Sequence, residues 1–315
     1  KVSERKFFSY KKIQAVKEVS FSIKRFENFG IIGESGCGKS TLSRLLSNLE
    51  SPDEGWIKFN NKKISGLKNK EILETRKKFQ LLLQDPYGCI PNHKSIYNIV
   101  SEPLIIHGEK NKNIINQKVK KVIEEVGLNF EIINSLPSGL SAGQRQRINI
   151  ARALILEPEL LILDETLSSL DQVEQAKLLK LFQDLQNRYE ITYVFISHDL
   201  TMVRKVCNRI AVMYLGRIVE LAENDTLYNN CKHPYTRTLL CSIPTLDDNP
   251  YDSKKYLMEG EPPDPSDVPK GCSFRSRCPF STDKSKNGNF DMGLIKVSEG
   301  HWADKCGVNC GKIFS

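Results

Sequence analysis

The densest chemistry in this sequence lies in GESGCGKST, residues 33–41. The spacing G-x-x-x-x-G-K-S is that of a loop that wraps phosphate. Its glycines let the backbone curl so that several N–H groups converge on phosphate oxygens. The candidate nucleotide-binding set is therefore the whole run: Gly33, Glu34, Ser35, Gly36, Cys37, Gly38, Lys39, Ser40 and Thr41. Lys39 is expected to reach the β- and γ-phosphates, Ser40 to ligate Mg²⁺, and Thr41 to add a phosphate contact. A second stretch, LLILDE at 160–165, is an apolar run ended by two carboxylates. A buried strand of that kind delivers Asp164 to hold Mg²⁺ and Glu165 to polarise a water. Each feature alone has a plainer reading, as a glycine-rich turn or as carboxylates ending a strand. Together they predict a site for ATP and Mg²⁺.

These groups need elements to carry them. AVKEVSFSI, residues 15–23, alternates in a period of two and predicts a half-buried strand. FENFGIIG ends in an apolar run that stops at Gly33, a buried strand before a turn. KSTLSRLLSNL then has helical spacing, and SPDEGWIKFNNKKI holds turn residues and a short strand. NQKVKKVIEEVGL reads as an amphipathic helix. SAGQRQRINIARALILEP reads as a helix that starts at a Ser cap and stops before Pro158. VEQAKLLKLFQDLQNRY is another helix, TYVFISHD a buried strand, and VMYLGRIVEL a final hairpin. Strands alternating with helices predict an α/β fold with a mostly parallel sheet, closing near residue 230.

The Ser-Ala-Gly turn of LSAGQRQRINIARAL makes a second anion-seeking helix start. With the phosphate loop before it and LLILDE after it, the chain resembles the ATP-binding cassette (ABC) ATPases over roughly residues 10–225. The resemblance implies a P-loop NTPase of the ABC type: a RecA-like core, an antiparallel β subdomain and a helical subdomain at about 86–155. It implies that Ser141, Gly143 and Gln144 contact ATP held by a facing subunit. Ala142 stands where the family usually has glycine. Gln84, in LLLQDPYG, matches the residue that senses Mg²⁺ and the water. Asp171 matches the loop Asp that communicates between subunits, and His198 the switch His at the γ-phosphate. Tyr10 lies where the family stacks an aromatic on adenine, with Phe7 and Phe8 as neighbouring competitors. Thr166 replaces the usual proline, which removes a rigid φ.

Composition fits this reading. The 315 residues are 27% charged and 39% hydrophobic, ordinary values for a globular chain. No apolar run reaches the roughly 18–20 residues of a membrane helix. The net charge of +8 comes from lysines scattered without interleaved aromatics, so solvated surface charge is expected rather than a nucleic-acid partner. The chain carries one phosphate loop and no coiled-coil insertion, which argues against a soluble ABC protein acting on ribosomes or DNA.

ESGCGKST, VMYLGRIVE followed by HPYTRTLL and SIPTL, and the tail GCSFRSRCP…HWADKC narrow the resemblance to ATP-binding subunits of oligopeptide/dipeptide importers. Nickel or another small solute is the alternative cargo within that branch. The implied organisation is an ATP-binding domain at 1–230 and a C-terminal extension at 231–315. The implied partners are a second ABC ATPase forming a heterodimer, two integral-membrane permease subunits docking on segment 85–110, and an extracytoplasmic substrate-binding protein. The implied location is peripheral, on the cytoplasmic face of the membrane.

Nine cysteines, an odd number, predict thiols or metal ligands rather than a disulfide framework. Some importers of this branch carry four tail cysteines that resemble an iron–sulfur ligand set. Cys272, Cys278 and Cys306 fit three of those positions, the remaining one falls at Ser285, and Cys310 is a substitute fourth thiolate for a [4Fe–4S] cluster or zinc. A cluster predicts a brown protein whose visible absorbance is lost in Cys272→Ser. Elemental analysis showing neither iron nor zinc would end both metal readings.

Overall fold

The computed structural model describes residues 2–6, 9–168, 170–243, 260–286 and 292–305. In chain order the elements begin with β1 (Val2–Lys6), β2 (Ser9–Ile13), β3 (Asn28–Ile32) and α1 (Lys39–Leu46). Then come β4 (Lys58–Phe59), β5 (Lys62–Lys63), α2 (Asn69–Lys78), β6 (Phe79–Leu82), α3 (Pro86–Cys89), α4 (Ile96–Ile106) and α5 (Lys112–Glu125). The next group is α6 (Ala142–Leu154), β7 (Leu160–Asp164), α7 (Gln172–Tyr189), β8 (Thr192–Ser197) and α8 (Leu200–Val206). The chain continues through β9 (Arg209–Tyr214), β10 (Arg217–Glu223), α9 (Asn224–Asn230), α10 (Pro234–Cys241), β11 (Leu294–Ser298) and β12 (His301–Asp304). These elements form two compact units: residues 1–23, 27–42 and 195–315 in the first, residues 24–26 and 43–194 in the second.

In the first unit β3 runs parallel to β9, and β9 pairs antiparallel with β10. β3 and β9 are apolar and buried almost throughout, as a strand covered on both faces must be. The hairpin is not the last element. β12 pairs antiparallel with β10, and β11 with β12, so the tail extends the same sheet. Sequence periodicity missed this because β11 and β12 are only 5 and 4 residues long. Burial of Glu220 ties the addition together. Its carboxylate, fully buried, accepts from the backbone N–H groups of Lys232 (2.6 Å) and His233 (3.0 Å) and lies 2.8 Å from His301 Nε2.

The strand expected at 15–23 does not form; β2 ends at Ile13. The alternation is real but reports burial, since Val19, Phe21 and Ile23 are half-buried while Ser20 and Ser22 are exposed. Glu18 sits at φ +51°, which breaks an extended run. Phe21 stacks on Phe29 at 5.2 Å, and the Ser22 carbonyl accepts from Arg209, itself paired with buried Glu27 at 3.1 Å.

In the second unit β6 and β7 pair in parallel, Leu82 opposite Leu163. α6 starts at Ser141 with a capping box: Ser141 Oγ accepts from the Gln144 N–H, and the Gln144 side chain accepts from the Ser141 N–H. Its buried face carries Ile148, Ile150, Ala151 and Leu154.

Removing the Glu220 carboxylate leaves the buried His233 N–H, the part-buried Lys232 N–H and the His301 ring without that acceptor. Glu220→Ala is expected to lower the unfolding free energy by about 3 kcal/mol, read as a fall in the urea midpoint; an unchanged midpoint would contradict the role given to this carboxylate.

Candidate active site

The phosphate loop leaves β3 at Ile32 and is shaped by close backbone approach. Gly33 has φ +154°, Gly36 +77° and Gly38 +104°. A Cβ at Gly33 would lie 2.2 Å from the Met213 carbonyl oxygen, and one at Gly38 2.1 Å from that of Ala15. Nothing lies within 4 Å of a Cβ at Gly36, where only the φ demands glycine. The Cys37 N–H donates to the Glu34 carbonyl (3.3 Å), and the Gly216 N–H to the Cys37 carbonyl (2.8 Å), which fastens the loop to the β9–β10 turn. Cys37 is buried, and burial pushes its thiol pKa up, so it packs as a neutral side chain. Lys39 opens α1 with its ammonium donating to the carbonyls of Gly33 (2.7 Å) and Glu34 (2.9 Å). Ser35 and Ser40 are exposed, and Thr41 is half-buried in the first turn of α1.

His198 follows the last residue of β8, exposed after six buried positions. Asp199 caps α8 by accepting from the Met202 N–H at 3.0 Å, and Ser197 Oγ accepts from the Asp199 N–H at 2.9 Å. A rigid strand end and a capped helix start thus fix the backbone on both sides of His198. Tyr10 lies on β2 opposite Arg5 of β1. Its side chain, and residues Phe7 and Phe8, lie outside what the structure describes.

The second unit carries the carboxylates. β7 delivers Asp164, buried, and Ser43 Oγ donates to its Oδ2 at 2.7 Å. Sequence reading missed Ser43, whose only signal is its place one turn beyond Lys39. Glu165 sits in the left-handed region at φ +50°, which turns the chain sharply off the strand. The Ser168 hydroxyl donates to the Glu165 carbonyl at 2.8 Å and holds that turn. Thr166, buried, donates its hydroxyl to the Leu82 carbonyl at 3.4 Å. Where a proline would rigidify φ, the threonine thus ties the turn to the end of β6, two residues before exposed Gln84. Asp171 caps α7 by accepting from Val173 and Glu174, both at 2.9 Å. Gly143 is buried under Glu174, whose Oε2 would lie 2.8 Å from an added Cβ. Within the second unit, Gln84 and Asp164 offer amide and carboxylate oxygens, and within the first Ser40 offers an exposed hydroxyl, each of a donor type that a small divalent cation prefers.

Two further residues of the first unit, Tyr235 and Arg277, hold the phosphate loop. The Glu34 N–H donates to the Tyr235 hydroxyl at 3.0 Å, and the Glu34 carboxylate takes both terminal nitrogens of Arg277, at 2.7 and 2.9 Å. In the sequence, HPY and GCSFRSRCPF stand out only as a branch marker and a cysteine pattern. Cys272 is buried, with its N–H donating to the Ser285 carbonyl at 3.1 Å. Ser285 is itself buried, its hydroxyl donating to the Thr282 carbonyl at 2.6 Å. Cys278 is half-buried, Cys306 and Cys310 lie outside the described residues, and among the described residues no three His, Cys, Asp or Glu gather as a metal site.

The glycine contacts separate three substitutions. Gly33→Ala and Gly38→Ala are expected to lose both the folded loop and MgADP binding, whereas Gly36→Ala costs about 1 kcal/mol and keeps binding. Thermal unfolding with and without MgADP checks the order; equal effects at all three positions would contradict it.

The family described as ABC transporter matches residues 16–168, and the oligopeptide/dipeptide transporter C-terminal region matches residues 219–284. The chain is 43% identical over 271 residues to the oligopeptide transport ATP-binding protein AppF of Bacillus subtilis, covering 85% of this chain and 82% of that one. It is 38% identical over 294 residues to the di/tripeptide transport ATP-binding protein DppF of Pseudomonas aeruginosa, covering 93% and 91%. Among solved structures, the dimeric post-hydrolysis state of the ATP-binding cassette MJ0796 bound to ADP and Pi superposes with a TM-score of 0.63 at 27% identity, covering 70% of this chain and 95% of that one. With its phosphate loop, its strand-end carboxylates and its matched C-terminal region, this chain belongs to the ABC transporter ATP-binding subunits of the oligopeptide/dipeptide family, and it is an ABC-type ATPase.

Proposed function

We propose that this chain hydrolyses ATP to drive peptide import as the ATP-binding subunit of a multi-subunit ABC importer. The observation that carries the reading is the pairing of a fully formed phosphate loop around Lys39 with a C-terminal region matched to peptide transporters over residues 219–284. In this reading residues 1–230 are the nucleotide-binding domain and residues 231–315 the transporter-specific extension. Nickel import is the competing cargo, and cargo choice belongs to other subunits.

The reaction is attack of water on the γ-phosphorus, with the bond to the β,γ-bridging oxygen breaking to leave ADP and inorganic phosphate. Glu165 orients the water and draws on its proton. Its φ of +50° turns the backbone directly at the end of β7. Lys39 and the loop amides hold the phosphate charge, and His198 meets the γ-phosphate. Tyr10 stacks on adenine. Ser40, Gln84 and Asp164 would hold Mg²⁺, which when bound would supply neutralisation of phosphate charge. Ser43 fixes the Asp164 carboxylate ready for that role. Ser141, Gly143 and Gln144 act on the nucleotide of a second ABC subunit, Asp171 communicates between the two subunits, and the capping box keeps the α6 start in one shape.

The partners proposed are that second ATPase, in a heterodimer, two permeases and an extracytoplasmic binding protein, with the chain peripheral on the cytoplasmic face. Among the described residues no helix is long and apolar enough to cross a membrane. Exposed Leu83, Tyr87, Ile105 and Ile106 suit a permease contact. Arg152 donates to the Cys89 carbonyl at 2.7 Å, and Arg145 to Asn92 at 3.0 Å while covering the Tyr87 ring, so this segment is fastened to α6. A [4Fe–4S] or zinc site at Cys272, Cys278, Cys306 and Cys310 is a further proposal that rests on sequence spacing.

Glu165→Gln is expected to keep ATP binding and lower turnover of the assembled transporter by about 10²–10³-fold. Normal turnover by that variant would overturn the role of Glu165, and loss of ATP binding would place it in substrate binding instead.

A further inference from the structure

We propose that Arg277 of the C-terminal extension is a positioning residue of the phosphate loop, neutralising Glu34 so that the loop accepts phosphate. The inference rests on the nucleotide-site reading above. Glu34 lies within the phosphate-binding run, between Gly33 and Gly36. An unmatched carboxylate there repels the phosphates that the loop amides and Lys39 attract. Arg277 answers it with a two-pronged pair, Nη1 to Oε2 at 2.7 Å and Nη2 to Oε1 at 2.9 Å. Its third nitrogen, Nε, donates to the Gly260 carbonyl at 3.1 Å. The Arg277 side chain is only 5% exposed and that of Glu34 23%. A guanidinium so enclosed is tolerated only because its partner is charged and its donors are used.

The segment around Arg277 is built to hold that pose. Phe274, three residues earlier, packs on Tyr214 at 5.3 Å and Tyr235 at 5.5 Å, with His233 at 5.9 Å. Tyr235 in turn accepts the Glu34 N–H. One tail segment and the HPY turn therefore grip the same loop residue from two sides, one at the side chain and one at the backbone. Burial keeps Tyr235 protonated and His233 neutral, so the charge facing Glu34 from this cluster is that of Arg277. Cys272 and Cys278 flank this latch in the stretch GCSFRSRCPF, where Phe274 and Arg277 make the contacts to the loop.

A charge role and a merely structural role predict different patterns of MgADP affinity, measured by calorimetry on the full chain. Arg277→Gln strands the Glu34 charge and is expected to weaken binding about tenfold. Combining it with Glu34→Gln removes both charges and is expected to bring affinity back to within about threefold of the parent. Rescue by the second substitution supports the proposal. Parent-like affinity in Arg277→Gln, or a double variant weaker than the single, overturns it. Should Arg277→Gln fail to fold, Glu34→Gln alone decides: tighter binding supports the proposal, and equal or weaker binding overturns it. Lys39→Ala separates the two levels, since MgADP binding that survives it sinks the nucleotide-site reading itself, whereas binding lost there but unmoved by Arg277→Gln sinks only the latch.

Discussion

The first unit depends on how closely backbone approaches backbone at the phosphate loop. At Gly33 and Gly38 a single methyl group would drive into the carbonyls of Met213 and Ala15, at 2.2 and 2.1 Å. Those carbonyls belong to β9 and to the segment after β2. The loop is thus a surface moulded between a core strand and an N-terminal stretch. A cluster of inward N–H groups has to be enforced from outside, because an isolated glycine-rich segment would spread over many conformations. Here the enforcement comes from the Gly216 N–H on the Cys37 carbonyl and from the Lys39 ammonium on the carbonyls of Gly33 and Glu34.

A second layer of constraint is ionic and buried. Glu220 collects two backbone N–H groups and His301, Glu27 holds Arg209, and Glu34 holds Arg277. Charges of this kind are costly to bury and add little net stability when compared with apolar packing. What they supply is selectivity of arrangement: each requires a particular partner in a particular place. Glu220 decides that the HPY turn and β12 meet on β10, and Glu34 decides that GCSFRSRCPF lies on the phosphate loop. The extension is in this sense part of the machinery of the first unit. In the second unit the same logic is smaller in scale, with Ser43 on Asp164 and Thr166 on the Leu82 carbonyl.

The sequence by itself determined the chemistry and most of its carriers. The phosphate loop, the carboxylates ending β7, the Ser cap of α6 and the buried run of β8 are local features, set by glycine freedom, apolar runs and capping hydroxyls acting within a few residues. Each was legible because its cause lies next to it in the chain. Tertiary structure decided what joins distant residues. The alternation at 15–23 could not say whether its backbone would pair, and Glu18 at positive φ with the Ser22 carbonyl given to Arg209 resolved it against a strand. Asp171, which the family resemblance assigns to communication between subunits, spends its carboxylate on the α7 cap. Glu34 and Arg277 are separated by 243 residues. No local propensity encodes such a pair, because its energy exists only once both side chains are withdrawn from water and brought face to face.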